Sequence, residues 1–388
     1  MTPITTTAEL EAFCERLQGA PFVAVDTEFM RETTYWPKLC LIQAATPTAE
    51  AVIDPLSPDI DLSCFLAVMA DTSIEKVFHA ARQDVEIFSN LGAIPVPLFD
   101  TQIAGMAAGF GEQIAYDALV RQMLKIDLDK SSRFTDWARR PLSEAQLTYA
   151  IADVTHLARL FPLLRGRLEE TGRLPWVTEE MKAMTDPALY DVDPENAWKR
   201  LRPRRHTAKY LAIFRAVAAW RERTAQTRDQ PRGRILKDEA VDELATQAPV
   251  EAEELNRLRS VPKGFAGSKF GPELIEAIRD AIKNADSYAP VVARAGAPPS
   301  GAGAVVELLK VLLKARAEDA DVASKLIATV ADLEKIASDD NADTGALQGW
   351  RLDAFGRDAL RLKRGELALV LDGTRVRVVE VRRTPKPA

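Results

Sequence analysis

F-V-A-V-D-T-E-F, residues 22–29, opens as a buried strand and closes on two carboxylates. Pro21 precedes it, and a short unbroken apolar run bounded in this way reads as a strand. Asp26 and Glu28 stand two residues apart, so on a strand their side chains leave the same face. Two like charges held side by side repel, and such a pair usually persists with a cation between them. Alone the pattern is weak, because most acids at strand ends are simply solvated.

Working outward, L-C-L-I-Q-A-A (39–45) and A-V-I-D-P (51–55) are apolar runs joined by the polar T-P-T-A-E, which predicts an antiparallel pair. Ile74 to Phe78 is another apolar run, followed by a helix over roughly 80–91 that Gly92 ends. L-F-D (98–100) closes a further strand before a helix around 101–109. Ser143 then opens the clearest helix: S-E-A-Q is a capping box, with Ser143 and Gln146 bonding each other's backbone. Leu147, Ile151, Val154, Leu157, Ala158 and Phe161 recur at helical spacing, so one face is buried, and Pro162 is expected to kink or end the helix. Strands alternating with helices predict an α/β layer fold for residues 1–190.

At 388 residues the chain is too long for one core, and two or three domains are expected. No run approaches 18 apolar residues, and the N-terminus lacks both a basic and an apolar signal segment, so neither a membrane partner nor secretion is expected. Three scattered cysteines (Cys14, Cys40, Cys64) without C-x-x-C spacing suit reduced thiols in the cytoplasm. The net charge of −6 argues against a polyanionic partner, but charge is segregated: K-R-L-R-P-R-R-H-T-A-K occupies 199–209, and acids crowd 237–254. A local basic stripe matters more to phosphates than the sum does, although a solvated linker is the plain alternative. From about 204 the segments 207–226, 234–246, 251–259 and 270–284 are helix-like and form one compact module. A-G-A-P-P-S-G-A-G-A (295–304) has linker composition. Helical segments follow at 305–317, 321–338 and 346–363, and an Asp-Gly turn between β-rich runs marks a closing hairpin.

Tyr149 and Asp153, four apart on the capped helix, share one face. The carboxylate suits a metal and the phenol a water, although such pairs are common on exposed helices. In H-A-A-R-Q-D-V-E-I-F, Asp84 is a better candidate ligand than Glu86, because Val85, Ile87 and Phe88 frame it on a partly buried face.

Together V-D-T-E-F, H-A-A-R-Q-D-V-E-I-F and Y-A-I-A-D-V-T-H-L resemble, in order, the three motifs of the DEDD exonucleases that carry tyrosine in the third. Y-W-P-K-L-C-L-I-Q (35–43), F-D-T-Q-I-A (99–104) and D-K-S-S-R-F-T-D-W-A-R-R-P-L-S-E-A-Q-L-T-Y-A (129–150) narrow the resemblance to the ribonuclease D branch. Gln83 stands where proofreading DNA exonucleases of this superfamily tend to have an aromatic residue, which fits the RNA-trimming branch better. The region 204–286 is similar to the helicase-and-RNase-D C-terminal (HRDC) module, and 300–388 to a second, divergent copy ending in a β-hairpin.

The resemblance implies a ribonuclease H-like α/β exonuclease domain, with a mixed, mainly five-stranded sheet, followed by all-α HRDC-type domains. It implies 3′-5′ hydrolysis of RNA from a free 3′-hydroxyl, release of 5′-mononucleotides, and two divalent ions per site, Mg²⁺ or Mn²⁺. Asp26 would bridge the ions, Glu28 and Asp153 complete one site, and Asp84 support the other. Tyr149 would orient the attacking water, since a phenol titrating near 10 is a poor base at neutrality. Phe29, His79, Arg139 and Arg140 are candidate substrate contacts, each with a packing role as the alternative; Trp137 can line the same path. A metal role for His156 is disfavoured, because the carboxylate set already suits hard cations. The implied partner is RNA, tRNA precursors with 3′ extensions first, with no protein partner evident. DNA as substrate and an inactive nucleic-acid scaffold remain competing readings. Because every candidate ligand precedes residue 160, a fragment ending near Ala183 is expected to keep trimming short single strands.

Overall fold

A computed structural model describes residues 2–129, 135–292 and 301–381. The K-S-S-R-F part of the 129–150 stretch and most of the 295–304 linker lie outside the described residues. The first module runs α1 (Thr7–Leu17), β1 (Phe22–Met30), β2 (Lys38–Ala45), β3 (Glu50–Ile53), α2 (Ser63–Ala70), β4 (Glu75–Phe78), α3 (Arg82–Asn90), β5 (Leu98–Asp100), α4 (Thr101–Ala107), α5 (Tyr116–Leu124), α6 (Glu144–Glu170) and α7 (Leu174–Met184). Its five strands lie in the order β3-β2-β1-β4-β5. β1, β2 and β3 pair antiparallel, whereas β4 and β5 join parallel on the other side, which is the mixed sheet expected.

β1 is central and outruns its parallel neighbour: β4 pairs only with Phe22 to Ala24, which leaves Asp26 and Glu28 beyond the end of β4. β2 stays paired with β1 throughout, with a bulge between Glu28 and Phe29. α6 covers β1 and β2, and its capping box forms between Ser143 and Gln146 as the sequence requires. Pro162 neither ends nor breaks this helix, which continues to Glu170. Phe161 packs on Phe22 and Phe99 at 4.6 and 4.9 Å between ring centres, and Leu164 and Leu168 beyond the proline are fully buried. Burial on both sides of Pro162 thus offsets the lost backbone hydrogen bond.

α8 (Ala208–Arg228) and the helices Asp238–Gln247 and Phe270–Lys283 build a second core around Phe214, Leu244 and Ile278. A third core surrounds the helix Ala302–Asp319, with the hairpin β6 (Leu367–Asp372) and β7 (Arg375–Glu380) at its edge. The expected helix over 321–338 is two pieces, Ser324–Ile327 and Val330–Ser338, because Thr329 starts afresh with a capping box to Asp332. The region 346–363 is likewise interrupted, by a 3₁₀ turn and a π turn.

Both helical modules grip the first. Tyr35, from the loop after β1, is buried in the second core. Its hydroxyl donates to Glu222 at 2.5 Å and accepts from Arg232 at 2.8 Å. Asp229, at the end of α8, accepts from the backbone of Tyr35 and Trp36. On the other side Trp176 of α7 stacks on Trp350 at 4.3 Å, and Arg173 donates to the carbonyls of Ala107 and Asp321.

Candidate active site

The overhang of β1 meets one face of α6, which brings carboxylate oxygens of Asp26, Glu28 and Asp153 within 4.8 Å of one another. Asp84, in the first turn of α3, is buried, and its Oδ1 accepts from the Thr27 hydroxyl at 2.5 Å. Glu86 points elsewhere and pairs in bidentate fashion with Arg31. Burial pushes Asp26 up to about 6, against the backbone N–H of Thr27. Asp84 is raised well above the carboxylate range by burial first and by the Asp26 charge second. Acids buried together in this way suit a bound cation, and an all-oxygen donor set suits a hard one. Tyr149 is hydrogen-bonded to Asp153, and burial followed by the charges of Asp153, Glu28 and Asp26 drives its phenol far above 10.

A cavity of about 350 Å³ opens onto these groups, lined in part by Asp26, His79, Gln102, Gln113, Tyr116, Tyr149 and Asp153. His79 therefore borders it, but both ring nitrogens are engaged: Nε2 with the Ile114 carbonyl at 3.1 Å and Nδ1 with the Thr101 hydroxyl at 2.9 Å. A phosphate contact there has to displace one of these bonds. Phe29 is half-buried at the bulge opposite Leu39. Trp137 is buried with its ring 6.1 Å from that of Tyr149, which makes it a support and not a lining of an RNA path. His156 falls outside the acidic cluster found among the described residues.

Arg139 is exposed, whereas Arg140 departs from the expected substrate contact. Its guanidinium donates twice to Asp54 at 2.6 Å and also to the carbonyls of Cys40 and Trp137. With its fork satisfied inside the protein, it fastens the segment before α6 to the sheet. Arg140→Ala is expected to cost about 3 kcal/mol, because Asp54 is left enclosed without its partner. Denaturant unfolding checks this, and a loss below about 0.5 kcal/mol contradicts it.

Two residues that position the site escaped the sequence reading. Asp100 accepts from the backbone of Ala80, Ala81 and Gln102, and so holds the turn that launches α3 and Asp84. Its signals were its place in F-D-T-Q-I-A and its N-cap position before α4, but neither showed what it holds. Tyr116 donates to the backbone carbonyl of Asp153; no spacing links the two in the sequence.

Fold and carboxylate cluster together define a metal-dependent nuclease domain extended by helical modules, and the families agree: residues 1–169 match the family described as 3′-5′ exonuclease, and residues 210–278 the HRDC domain. The chain belongs to the ribonuclease D family. It is 51% identical to ribonuclease D of Nitrobacter hamburgensis over 98% of this chain and 100% of that one. It is 48% identical to ribonuclease D of Granulibacter bethesdensis over 97% and 96%. The crystal structure of Escherichia coli RNase D, an exoribonuclease involved in structured RNA processing, superposes with a TM-score of 0.81 at 29% identity, over 94% of this chain and 99% of that one. The protein is accordingly a 3′-5′ exoribonuclease acting in RNA processing, from a family that uses divalent metals. Among the described residues no helix is long and apolar enough to cross a membrane.

Proposed function

We propose that the protein hydrolyses RNA from a free 3′-hydroxyl, releasing 5′-mononucleotides, with two divalent ions, Mg²⁺ or Mn²⁺, held by Asp26, Glu28, Asp84 and Asp153. The observation that carries this is the convergence of Asp26, Glu28 and Asp153 within 4.8 Å, with Asp84 raised by burial first and by the Asp26 charge second. Asp26, which meets Glu28 and Asp153 and whose charge acts on Asp84, would hold metal together with these acids, Glu28 and Asp153 on one side and Asp84 on the other. When bound, such ions neutralise the phosphoryl oxygens, activate the attacking water and stabilise the leaving 3′ oxygen. Tyr149, kept protonated by burial and then by its acidic neighbours, would orient the water as a neutral hydroxyl. The cavity of about 350 Å³ is at the small end of ligand pockets and admits a chain end, not a duplex.

The division of labour we infer is an exonuclease domain over 1–190, an HRDC domain over 204–286 and a second, divergent HRDC-like domain over 300–388. Distinct hydrophobic cores around Phe214 and around Leu309 support this division, and Ala323 and Leu326 cross it by packing into the first module's core. In the stripe leading into α8, Lys199, Arg202, Arg205 and Lys209 are exposed and suit the backbone of a structured RNA, with tRNA precursors bearing 3′ extensions as the favoured substrate. Cys14, Cys40 and Cys64 are free thiols, which suits the cytoplasm.

The test is one set of end-labelled substrates with Mg²⁺ or Mn²⁺: a tRNA precursor, matched DNA, RNA ending in 3′-phosphate, and circular RNA. Mononucleotides should leave the 3′ end of the precursor. The 3′-phosphate should resist, because its added charge meets Asp26 and Glu28, and circles should survive. Efficient cutting of circular RNA means endonuclease action and overturns the assignment.

A further inference from the structure

Gln43 lies on β2 directly across from Asp26, so the two side chains rise from the same face of the sheet, with Cβ atoms about 4.5–5.5 Å apart. It is fully buried, and neither its Nε2 nor its Oε1 has a hydrogen-bond partner. Its cross-strand neighbour on the other side is Val52, which together with Leu41 packs on Leu147 and Ala150 of α6. A carboxamide enclosed by an apolar layer is unfavourable unless something accepts its protons, and an apolar residue of the same length would fill this space without that cost. Orphaned buried amides are rare enough that each calls for a partner, and the polar group across the strand pair here is the Asp26 carboxylate.

We propose that Gln43 is a positioning residue for the Asp26 carboxylate. Its Nε2–H would donate to Asp26 and fix the rotation in which that carboxylate would hold metal. The assignment rests on the reading that Asp26 is a metal ligand. Partners of this outer kind typically change metal affinity 10–100-fold when removed. It also gives the L-I-Q end of the 35–43 motif a role that neither the acids nor Tyr149 supply.

The test is Mn²⁺ binding to the full chain, followed by electron paramagnetic resonance, for wild type, Gln43→Met, Gln43→Leu and Asp26→Asn. Methionine keeps the unbranched stem and removes the amide; leucine is a second shape in case methionine does not pack. Both variants should bind Mn²⁺ about 10–100-fold more weakly, and the Mn²⁺ concentration for half-maximal rate should rise by the same factor. Their metal-free melting temperature should be unchanged or higher, because an unpartnered amide has gone. If Gln43 serves packing alone, a folded variant binds Mn²⁺ within twofold of wild type and melts lower, and the proposal falls. Loss of binding in Asp26→Asn with full binding in the Gln43 variants removes only the role of Gln43. Undiminished binding in Asp26→Asn removes the metal reading and this inference with it.

Discussion

Asp153→Asn lowers turnover by at least two orders of magnitude while leaving the fold and RNA affinity nearly unchanged. Loss of one preorganised charge-stabilising group is typically worth about 10²–10³ in rate. The asparagine is isosteric, α6 keeps its capping box, and Tyr116 still holds the backbone carbonyl at 153, so the side chain stays where the aspartate was. What is lost is a negative charge within 4.8 Å of Asp26 and Glu28, without which a cation is held more weakly and less well neutralised. Removing one of three crowded carboxylates also relieves repulsion, so the metal-free variant melts no lower than wild type. Steady-state cleavage with Mg²⁺, beside anisotropy with labelled RNA, measures both sides. Retention of more than a few per cent of turnover contradicts the role given to Asp153.

Tyr149→Phe removes one hydroxyl and is expected to cost roughly 10²–10⁴-fold in kcat, the range for a positioned proton-handling group. The phenol is buried first of all, and it is hydrogen-bonded to Asp153 among three acids, which favours its neutral form far beyond its ordinary value. It therefore donates a hydrogen bond throughout the accessible pH range and does not act as a base. The sign follows: raising pH to 9 should not reveal an alkaline limb in wild type that Tyr149→Phe abolishes. A rate-against-pH profile of both proteins checks this. An unchanged rate reduces Tyr149 to a packing residue beside Trp137, and a lost limb makes it a base.

Much of the proposed site was legible because its candidate ligands sit at strand and helix spacings, each weak alone, within three motifs whose order resembles a known family. The i, i+2 pair Asp26 and Glu28 on a strand, the i, i+4 pair Tyr149 and Asp153 on a capped helix, and Asp84 framed by apolar residues each carry a local signal. The hairpin of β2 and β3 and the closing Asp-Gly hairpin were legible for the same reason. Contacts between distant segments carry no such periodicity. Arg140 looked like a free basic residue until its partner, Asp54, was brought beside it from 86 residues away. Asp100 and Tyr116 act through backbone atoms, which sequence patterns do not mark. The helix Thr7–Leu17 was missed although Thr6 and Glu9 form a capping box, whereas Pro162 was over-read because its cost is local and its compensation is tertiary.

The same long-range contacts bear on the expectation that a fragment ending near Ala183 trims short RNA unaided. Tyr35 would lose Glu222, Gln226 and Arg232, and the loop it anchors follows directly from the strand that carries Asp26 and Glu28. On the opposite side the backbone pairing of Ala323 with Met106 would vanish as well. The helical modules therefore brace the catalytic domain.

The most direct measurement of the central claim is diffraction at the manganese absorption edge from crystals of the full chain soaked in Mn²⁺. Two anomalous peaks about 3.5–4 Å apart are predicted, one among Asp26, Glu28 and Asp153 and the other between Asp26 and Asp84. Ordered Mn²⁺ bound elsewhere, with nothing at these carboxylates, would contradict the account.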